Sequence, residues 1–578
     1  MTGRLAFLAG LAAALAASTA GAQSLVDSRL EVETWASGLS SPTTFTWIGP
    51  GEMLVIQKNN GQVKWIQDGV VKGTALDLTV QNDSERGGLG IAADPDFANN
   101  KYVYVYYSAT SATGDSSTST RWVDNRVVRY EWNGTNLINA FGPILAFPAS
   151  AGQASGPNHD GGVIRFGPDG MLYGQTGDLN RGRMGGGTER VEQNTATTGS
   201  AFVGGIFRVQ NDGSVPSDNP FLNESDANFH LWWSYGLRNG FGMCWDAVTG
   251  NLWNTENGPN VYDEVCRVPK GMNSGWLKIM GPDSRDARYG ENGNQIFDSD
   301  DLTALDGSIY VDPELSFLSP IGITAIAFLD TRRFPADLRD ECVLGDNNTG
   351  NLYLAPMKFD RDEFKLPTGL KDKVADDTTE RNKLVWGSSW NVVTDLQIGA
   401  DGYLYVASLG RGSILRIRPL TDTVDPAKLR FVPGVFFTGK KQNVEVSDDR
   451  YYTAEEKPGW RDRPPFKMLA SFVLNEVAPT SIVVELEDKF GTEQMRQKIF
   501  VYNVVAAKWD KVDDVELGTT DVLRSITLSN PTDYIDPADL TVDVRIDVSS
   551  SNSKHMGTLP RPPVKMRIDL LQLLVTYP

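Results

Sequence analysis

A histidine and a carboxylate stand at the two ends of one short stretch of this sequence, NHDGGVIRFGPDGMLYGQTGD (158–178). His159 lies in a glycine-flanked loop, and histidine is the type of side chain whose ordinary pKa suits proton transfer near neutral pH. Asp178 ends the stretch. Between them, an Asp-Gly turn joins two runs of aromatic and aliphatic residues, a pattern that predicts a β-hairpin. The hairpin is scaffold, and His159 and Asp178 are the candidates for chemistry.

The hairpin pattern recurs at irregular intervals along the chain. Its six copies begin at Trp47, Ala93, Arg165, Trp245, Glu341 and Ile398. No strongly periodic helical segment of a dozen residues separates the copies, so a βαβ sheet is disfavoured. Six copies predict an all-β fold, a six-bladed β-propeller, in which loops gather at one end of a central channel. His159 is expected at that end.

The C-terminal part of the chain has a different pattern. Long alternating segments such as TSIVVELEDKF and QKIFVYNVV replace the hairpin phrase. Six strands of this kind, with polar alternate faces, predict a β-sandwich. We therefore assign residues 23–425 to the propeller and residues 426–578 to a β-sandwich accessory domain.

The N-terminal segment predicts export. Residues 1–22 combine Arg4, an Ala/Leu run and a small-residue cleavage site at Ala20-Gly21-Ala22, as a secretory signal peptide does. No later segment reaches the roughly 18 apolar residues that span a bilayer. We predict a secreted protein, periplasmic or extracellular, that is soluble or peripherally held.

The net charge limits the classes of binding partner, and the cysteine content limits the disulfide bonds. A formal net charge of −19 argues against nucleic acid or an anionic membrane, so neutral sugars or cations fit better. The three cysteines are too few for a disulfide framework. They are either buried thiols or include a bridge between Cys244 and Cys266.

Four motifs, in this order, resemble the soluble pyrroloquinoline-quinone (PQQ) sugar dehydrogenases, the glucose/sorbosone dehydrogenase family. They are ERGGLGIAADPDFANNKYVYVYYS (85–108), the stretch 158–178, YGLRNGFGMCWDAVTGNLWNTENGPNVYDEV (235–265) and KGMNSGW (270–276). The resemblance spans roughly residues 35–420. It implies a six-bladed propeller, in agreement with the repeat count.

The resemblance also implies roles for single residues. His159 matches the general base that takes the sugar hydroxyl proton while a hydride leaves for the quinone, and Asp178 matches the acidic residue that orients it. Arg238 matches an arginine that faces the substrate and quinone oxygens, although an arginine there could also merely support a turn. Asn239 is then a hydrogen-bond donor on the cofactor side. Glu85 occupies a polar position next to the sugar.

A calcium site is implied by the same resemblance. Gly258 and Pro259 match the pair whose backbone carbonyls hold the cofactor's Ca²⁺, a cation that prefers oxygen ligands. Asp263 and Glu264 match a pair that includes a structural calcium ligand. On the residues alone, turn capping or surface charge explains these two carboxylates equally well.

The sequence departs from the family at three positions that carry cations in the glucose-oxidising members. Asn348 stands at the apparent position of a lysine, and Val392 and Thr394 stand at those of two arginines. A tricarboxylate such as PQQ needs cationic partners, because each uncompensated buried charge costs several kcal/mol. Arg411, or an arginine at 181 or 183, is a candidate substitute.

We predict a secreted, PQQ- and Ca²⁺-dependent sugar dehydrogenase that oxidises an aldose or related polyol and passes electrons to an external acceptor. The alternative is a propeller that has lost its PQQ ligands and acts as an extracellular carbohydrate- or protein-binding module. The missing cations favour the binder. The joint presence of His159, Asp178 and Arg238 favours the enzyme.

Overall fold

A computed structural model describes residues 23–148, 158–179, 190–198, 203–288, 297–431, 435–438, 451–456, 466–475, 478–491, 495–550 and 565–577. The segment 1–22 and the arginines at 181 and 183 lie outside these ranges. The chain divides into two compact units; the larger consists mainly of Val32–Asp330 and Asp340–Ile417, and the smaller mainly of Arg418–Pro578.

The all-β prediction is confirmed. In the described part of the chain, each α-helix is a single turn; the two are Phe97–Asn100 and Thr378–Arg381. Short 3₁₀ turns account for the other helical residues; they are Ser119–Arg121, Val191–Gln193, Ala227–Phe229, Asp283–Arg288, Ser299–Asp301 and Pro531–Tyr534.

The described residues of the larger unit form six mainly antiparallel sheets, which we number along the chain from the strand that begins each one. The strands of sheet 1 are Pro42–Gly49, Glu52–Gln57, Gln62–Gln67 and Val70–Asp77. Those of sheet 2 are Gly88–Ala93, Tyr102–Thr110, Trp122–Trp132, Leu137–Ile138 and Pro143–Pro148. Those of sheet 3 are Ile164–Phe166, Leu172–Thr176, Gly205–Val209, Trp232–Tyr235, Met272–Asn273 and Ile309–Tyr310.

The remaining three sheets follow the same plan, and two of them recruit strands from the N-terminal end of the chain. The strands of sheet 4 are Met243–Trp245, Leu252–Glu256, Asp263–Arg267, Leu315–Phe317 and Val374–Ala375. Those of sheet 5 are Ile323–Phe328, Cys342–Asp346, Leu352–Ala355, Val385–Ser388 and Ser24–Leu25. Those of sheet 6 are Val393–Ile398, Leu404–Ser408, Ser413–Pro419 and Leu30–Ser37.

Each copy of the repeated phrase forms an antiparallel hairpin in a different sheet. The phrase also joins neighbouring sheets. In sheet 3, Asp169 caps the turn and accepts a hydrogen bond from Tyr173 Oη (2.9 Å), and Trp245 of sheet 4 packs edge-on against that tyrosine (centroids 5.1 Å apart). In sheet 6, Asp401 and Tyr405 repeat the pairing, with Trp47 of sheet 1 against the tyrosine. The phrase therefore encodes a turn and an aromatic contact to the next sheet.

The first strands of the six sheets contact one another in the order of their numbers, and that of sheet 6 returns to contact that of sheet 1. An ion pair joins two non-adjacent first strands: Arg165 Nη2 of sheet 3 lies 2.6 Å from Asp395 Oδ1 of sheet 6. Thr44 of sheet 1 donates to the other carboxylate oxygen of Asp395 (2.6 Å). Three sheets thus share one mostly buried charge pair.

Antiparallel pairing decides where loops collect. The beginning of a first strand and the end of the second strand lie side by side, as the pairing of Ile164 with Gly174 shows. Residues just before a first strand and just after a second strand therefore share one edge of each sheet. We call this the site edge. His159 and Asp178 both lie on the site edge of sheet 3.

The smaller unit contains two further sheets that share one hydrophobic core. The strands of sheet 7 are Thr421–Val424, Val435–Thr438, Tyr452–Glu456, Lys565–Thr576, Ser481–Phe490 and Val522–Thr527. Those of sheet 8 are Lys428–Phe431, Phe466–Val473, Thr541–Ser550, Met495–Asn503 and Lys508–Leu517. Buried residues alternate with part-exposed residues along Ser481–Phe490, as the sequence pattern predicts.

Cys244, Cys266 and Cys342 are free thiols, so the bridge considered between the first two does not form. Within the described ranges, no helix has the length and apolar content needed to cross a membrane.

Replacing Arg165 with Met should lower the free energy of unfolding by about 3 kcal/mol, because it leaves the buried Asp395 carboxylate without its cation. The side chains of the pair are 17% and 8% exposed. Urea unfolding of the two proteins measures the difference. Lys358→Met is the control, since it removes a pair with Glu363 that is 49% and 37% exposed and should cost less than about 1 kcal/mol. Equal costs for the two variants would contradict this account of the ion pair.

Candidate active site

The centre of the site is a hydrogen bond between His159 and Asp178. Nδ1 of the imidazole lies 2.5 Å from Oδ1 of the carboxylate, and the two side chains are 13% and 1% exposed. The residues come from the loops before the first and after the second strand of sheet 3, and Leu179 N donates to His159 O (3.2 Å) to tie the loops together. Because a carboxylate accepts, Nδ1 carries the hydrogen. Nε2 is left free to take a proton.

Asp178 is surrounded by groups that favour its ionised form. Trp276 Nε1 donates to its second oxygen (2.9 Å). Burial by itself raises the pKa of Asp178, but the charge and hydrogen bond of His159, the charge of Arg238 and the Trp276 N–H outweigh burial and hold that pKa below its usual value of 3.8. The carboxylate is therefore a buried anion beside the imidazole.

Glu85 holds the backbone of the histidine loop. His159 has a φ of 63°, in the left-handed region that a non-glycine residue rarely adopts. Glu85 Oε2 accepts hydrogen bonds from His159 N (2.7 Å) and from Asn239 Nδ2 (3.0 Å). One carboxylate oxygen thus links the loops of sheets 2, 3 and 4.

Arg238 is fixed on the site edge of sheet 4. Its backbone N–H donates to Glu256 Oε1 (2.5 Å), and its Nη1 donates to Asn257 O (2.7 Å). Its guanidinium lies 5.4 Å from the centre of the Trp276 ring, and its carbonyl accepts from Asp178 N (2.8 Å). The arginine and the His159–Asp178 pair therefore belong to one connected network.

The carboxylates of Asp263 and Glu264 both accept hydrogen bonds from the main chain. Asp263 accepts from the backbone N–H of Gly258 (2.9 Å), and its other oxygen accepts from Ile321 N (2.7 Å) and Gly322 N (2.6 Å). This is the turn-capping role that we considered for it. Glu264 accepts a backbone hydrogen bond from Gly281, and burial raises its pKa well above the usual value. Within the described part of the chain, no group of three His, Cys, Asp or Glu side chains is arranged to hold a metal.

Backbone oxygens converge at Gly258. A Cβ added there would lie 2.0 Å from Tyr262 O and 2.1 Å from Val261 O, so only glycine fits. Carbonyl oxygens are ligands that Ca²⁺ accepts. If this loop holds a calcium ion, its backbone carbonyls are the candidate ligands, because both oxygens of Asp263 already accept backbone hydrogen bonds.

Several polar atoms beside Arg238 are buried without a partner among the described residues. They are Nε of Arg238, Oδ1 of Asn239 and both side-chain amide atoms of Asn257 and Gln175. Buried polar groups are normally hydrogen-bonded, so such a cluster is typical of a ligand site. The donors among them, Arg238 Nε and the amide nitrogens of Asn257 and Gln175, suit the carbonyl and carboxylate oxygens of a quinone such as PQQ.

The positions that depart from the family present no cation. Asn348 is exposed, and its amide donates to Pro320 O (3.5 Å). Thr394 donates to Pro42 O (3.1 Å), and Val392 accepts from Leu409 N (2.9 Å). Arg411 lies after the second strand of sheet 6, on the site edge of that sheet, and its Nη2 donates to Ser389 O (2.6 Å).

Sequence reasoning missed four residues around the pair: Trp276, Glu256, Asp160 and Lys58. Trp276 ends the motif KGMNSGW, and the sequence alone gives this tryptophan no role. Burial raises the pKa of Glu256 to about 8, partly offset by the Arg238 N–H and by Ser274. Lys58 stands directly after the second strand of sheet 1, and this position relative to the strands was the signal that could have found it.

Comparisons with known proteins identify the family of the chain. A family model described as Glucose / Sorbosone dehydrogenase matches residues 39–416. Aldose sugar dehydrogenase YliI of Escherichia coli (strain K12) is 25% identical over 399 residues, which cover 68% of this chain and 93% of that protein. Quinoprotein glucose dehydrogenase B of Acinetobacter calcoaceticus is 28% identical over 261 residues, which cover 42% of this chain and about half (52%) of that protein.

A solved structure shows the same fold. An oxidoreductase of Thermus thermophilus, described as a glucose dehydrogenase, superposes with a TM-score of 0.51 at 24% identity, covering 67% of this chain and 99% of that one.

Trp276→Phe should destabilise the protein by about 1–3 kcal/mol at pH 7, because it removes a hydrogen bond to a buried carboxylate but keeps a ring beneath Arg238. The folded-state pKa of Asp178 lies below 3.8, so the stability from its ionised form is present above pH 3.8 and is lost as the pH falls through the folded value. The cost of the substitution should therefore shrink in acid. Urea unfolding between pH 3 and pH 7 measures it.

Trp253→Phe is the matched control. Trp253 is fully buried and its Nε1 has no hydrogen-bond partner among the described residues, so the cost of this substitution should not change with pH. A cost of Trp276→Phe that is equally independent of pH would contradict the proposed link between Trp276 and Asp178.

Proposed function

The chain belongs to the glucose/sorbosone dehydrogenase family, and from that premise we propose that it is a quinone-dependent dehydrogenase that oxidises an aldose or a related sugar or polyol. The observation that carries the proposal is the hydrogen-bonded His159–Asp178 pair with Arg238 in the same network. The names of the E. coli and Acinetobacter relatives support a sugar as substrate and a quinone as cofactor.

We further infer that the six sheets are the blades of a propeller, and that sheets 7 and 8 form a β-sandwich whose first strand, Thr421–Val424, begins a few residues before the boundary expected between residues 425 and 426. The cyclic contacts of the first strands support the blades. The common core of the last two sheets supports the sandwich. The site edges then form one end of the propeller, where a substrate can enter.

His159 is the general base of the proposed reaction. Its Nδ1–H is held by Asp178, so Nε2 takes the proton of the sugar hydroxyl. The carbon of that hydroxyl loses its hydrogen with two electrons, and the sugar becomes a lactone or carbonyl product. The buried charge of Asp178 stabilises the imidazolium that results. Proton and hydride thus leave the sugar to different acceptors, and the balance is a two-electron oxidation.

A bound PQQ supplies the hydride acceptor. Arg238, Asn239 and Asn257 would hold its oxygens, and the Arg238 cation would stabilise the negative charge that develops there. The carbonyls of Gly258 and Pro259 would bind the Ca²⁺ that accompanies it. Glu85 acts by holding the loops of His159 and Asn239 beside the sugar.

The rival proposal is a carbohydrate- or protein-binding propeller without redox chemistry. The exposed Asn348 and the carbonyl-bonded Thr394 favour it, because neither supplies a charge for a tricarboxylate. We also propose that the chain is exported and that it passes electrons to an external acceptor. The leader-like composition of residues 1–22 supports export, and membership of the family supports the external acceptor.

Titration of the purified protein with PQQ and Ca²⁺, followed by reduction of an artificial acceptor across a panel of aldoses, tests the enzyme against the binder. His159→Asn should lower kcat by at least about 100-fold, since general-base catalysis contributes about 10²–10⁴-fold. His230→Gln is the control; His230 contacts Glu224 O (2.9 Å) and should keep full activity. If the protein binds sugar but does not reduce the acceptor, and His159→Asn binds the sugar with unchanged affinity, the chain is a carbohydrate-binding propeller.

Gly258→Ala should weaken PQQ binding in the presence of Ca²⁺ by more than about tenfold, because the new methyl group would displace the carbonyls of Val261 and Tyr262. Gly73→Ala is the matched control, since nothing lies within 4 Å of its added Cβ. Fluorescence titration measures both affinities, and circular dichroism confirms folding. Unaltered affinity in folded Gly258→Ala would rule out this loop as the cofactor and calcium site.

A further inference from the structure

A lysine lies buried on the site edge of sheet 1. Lys58 follows the second strand, Glu52–Gln57, directly and is 6% exposed. Within the described residues, its Nζ makes a single hydrogen bond of 3.2 Å, to Asn59 Oδ1. Lysine is seldom buried so deeply without a carboxylate against it. Because Asn59 is neutral, charged groups elsewhere must balance the Lys58 ammonium.

The balancing charges come from the loops that carry the site. Asp83, Glu85 and Arg86 precede the first strand of sheet 2, and Asp160 precedes that of sheet 3. Gly88 N donates to Lys58 O (2.9 Å), which ties Lys58 to the loop that carries Glu85, and the charges of Asp160, Glu85 and Asp83 all raise the pKa of Lys58 against the effect of burial. Together with Arg86 they place three carboxylates and two cations in one region.

Asp160 is the innermost member of this group. It is fully buried and directly follows His159 in the chain. Its Oδ1 accepts from Asn125 Nδ2 (2.9 Å) and lies 3.5 Å from Arg86 Nε. The Arg86 guanidinium stacks 3.8 Å from the Trp122 ring centre, so it cannot move closer without losing that contact. One arginine is a poor balance for Asp160 and Glu85 together.

We propose that Lys58 is a positioning residue of the active site: its buried ammonium balances Glu85 and Asp160 and so holds the loops of His159 and Asn239 in place. Glu85 transmits the effect, because its carboxylate binds His159 N and Asn239 Nδ2 at once. Lys58 touches neither substrate nor cofactor in this role. This role of Lys58 depends on the proposed function only in those experiments that measure activity.

The charge balance should fail on the alkaline side of neutrality. Burial lowers the pKa of Lys58 to about 8, against the attraction of Asp160, Glu85 and Asp83. Burial raises the pKa of Asp160 to about 6, against the charge of Arg86 and the Asn125 hydrogen bond. Between about pH 6 and about pH 8, the Lys58 ammonium and the Asp160 carboxylate are therefore both charged. As the pH rises through about 8, the ammonium is lost and the carboxylates remain.

Three variants test the proposal in the full-length protein loaded with PQQ and Ca²⁺. Lys58→Met removes the charge, Lys58→Arg keeps it at every accessible pH, and Lys64→Met removes a lysine of the same sheet that donates to Thr74 Oγ1 (2.7 Å). Lys58→Met should lower kcat at pH 7 by about 10- to 100-fold, with KM changed by less than about threefold, because misplacement of the base slows the chemical step. Lys58→Arg should stay near wild type.

The pH profile separates positioning from general stability. Wild type and Lys64→Met should lose kcat as the pH rises through about 8. Lys58→Arg should move that alkaline limb upward by at least about one pH unit, since arginine keeps its proton. An alkaline limb that stays near pH 8 in Lys58→Arg overturns the proposal, and so does unaltered kcat in Lys58→Met. If Lys58→Met does not fold, Lys58→Arg decides alone.

A second readout does not depend on catalysis. The chain has three histidines, so the ring signals of His159 can be resolved by NMR in histidine-labelled protein. These signals should show an alkaline transition near pH 8 in wild type that moves upward in Lys58→Arg. If this transition behaves as expected but no variant oxidises sugar, the proposed function fails and the role of Lys58 stands. Sugar oxidation with no such transition overturns the role of Lys58 alone.

Discussion

The hydrogen bond from His159 Nδ1 to Asp178 Oδ1 is the interaction on which the rest of the site depends. Asp178 is almost fully buried, and a buried carboxylate is tolerated only when charge and donors surround it. The donors come from separate parts of the chain, namely the His159 imidazole and the Trp276 indole, and the charge of the nearby Arg238 adds to them. Arg238 is held in turn by its hydrogen bond to Asn257 O. The need to satisfy one buried anion thus fixes the base, its tautomer and the arginine beside it.

The sheets make this arrangement possible through a simple property of antiparallel strands. Because the start of the first strand lies beside the end of the second, each sheet offers two loops at the same edge. Sheet 3 uses them for His159 and Asp178, and sheet 4 uses them for Arg238 and for the Gly258 loop. The turn at the opposite edge carries the Asp and Tyr that bind the next sheet, as Asp169 and Tyr173 do. The residues that pack against the next sheet and the residues of the site therefore lie at opposite edges of the same hairpin, so either set can change without the other.

Local features of this kind could be predicted from sequence, and long-range ones could not. The Asp-Gly turns identified the hairpins and the all-β fold, since turn chemistry depends on adjacent residues. They also placed His159 and Asp178 at one edge. The Trp276 hydrogen bond spans 98 residues of sequence, and the Glu85 bond to His159 N spans 74. No local pattern encodes such contacts. Asp263 shows a further limit: the resemblance implied a metal ligand and the residues alone left turn capping equally open, and both its oxygens accept backbone hydrogen bonds.

A crystal structure of the protein soaked with PQQ, Ca²⁺ and an aldose would test the central claim most directly. We expect the quinone against Arg238 and Asn257, the cation on the carbonyls of Gly258 and Pro259, and a sugar hydroxyl within hydrogen-bond distance of His159 Nε2. A quinone bound elsewhere, or a sugar bound with His159 Nε2 facing away from it, would contradict the assignment of His159 as the base.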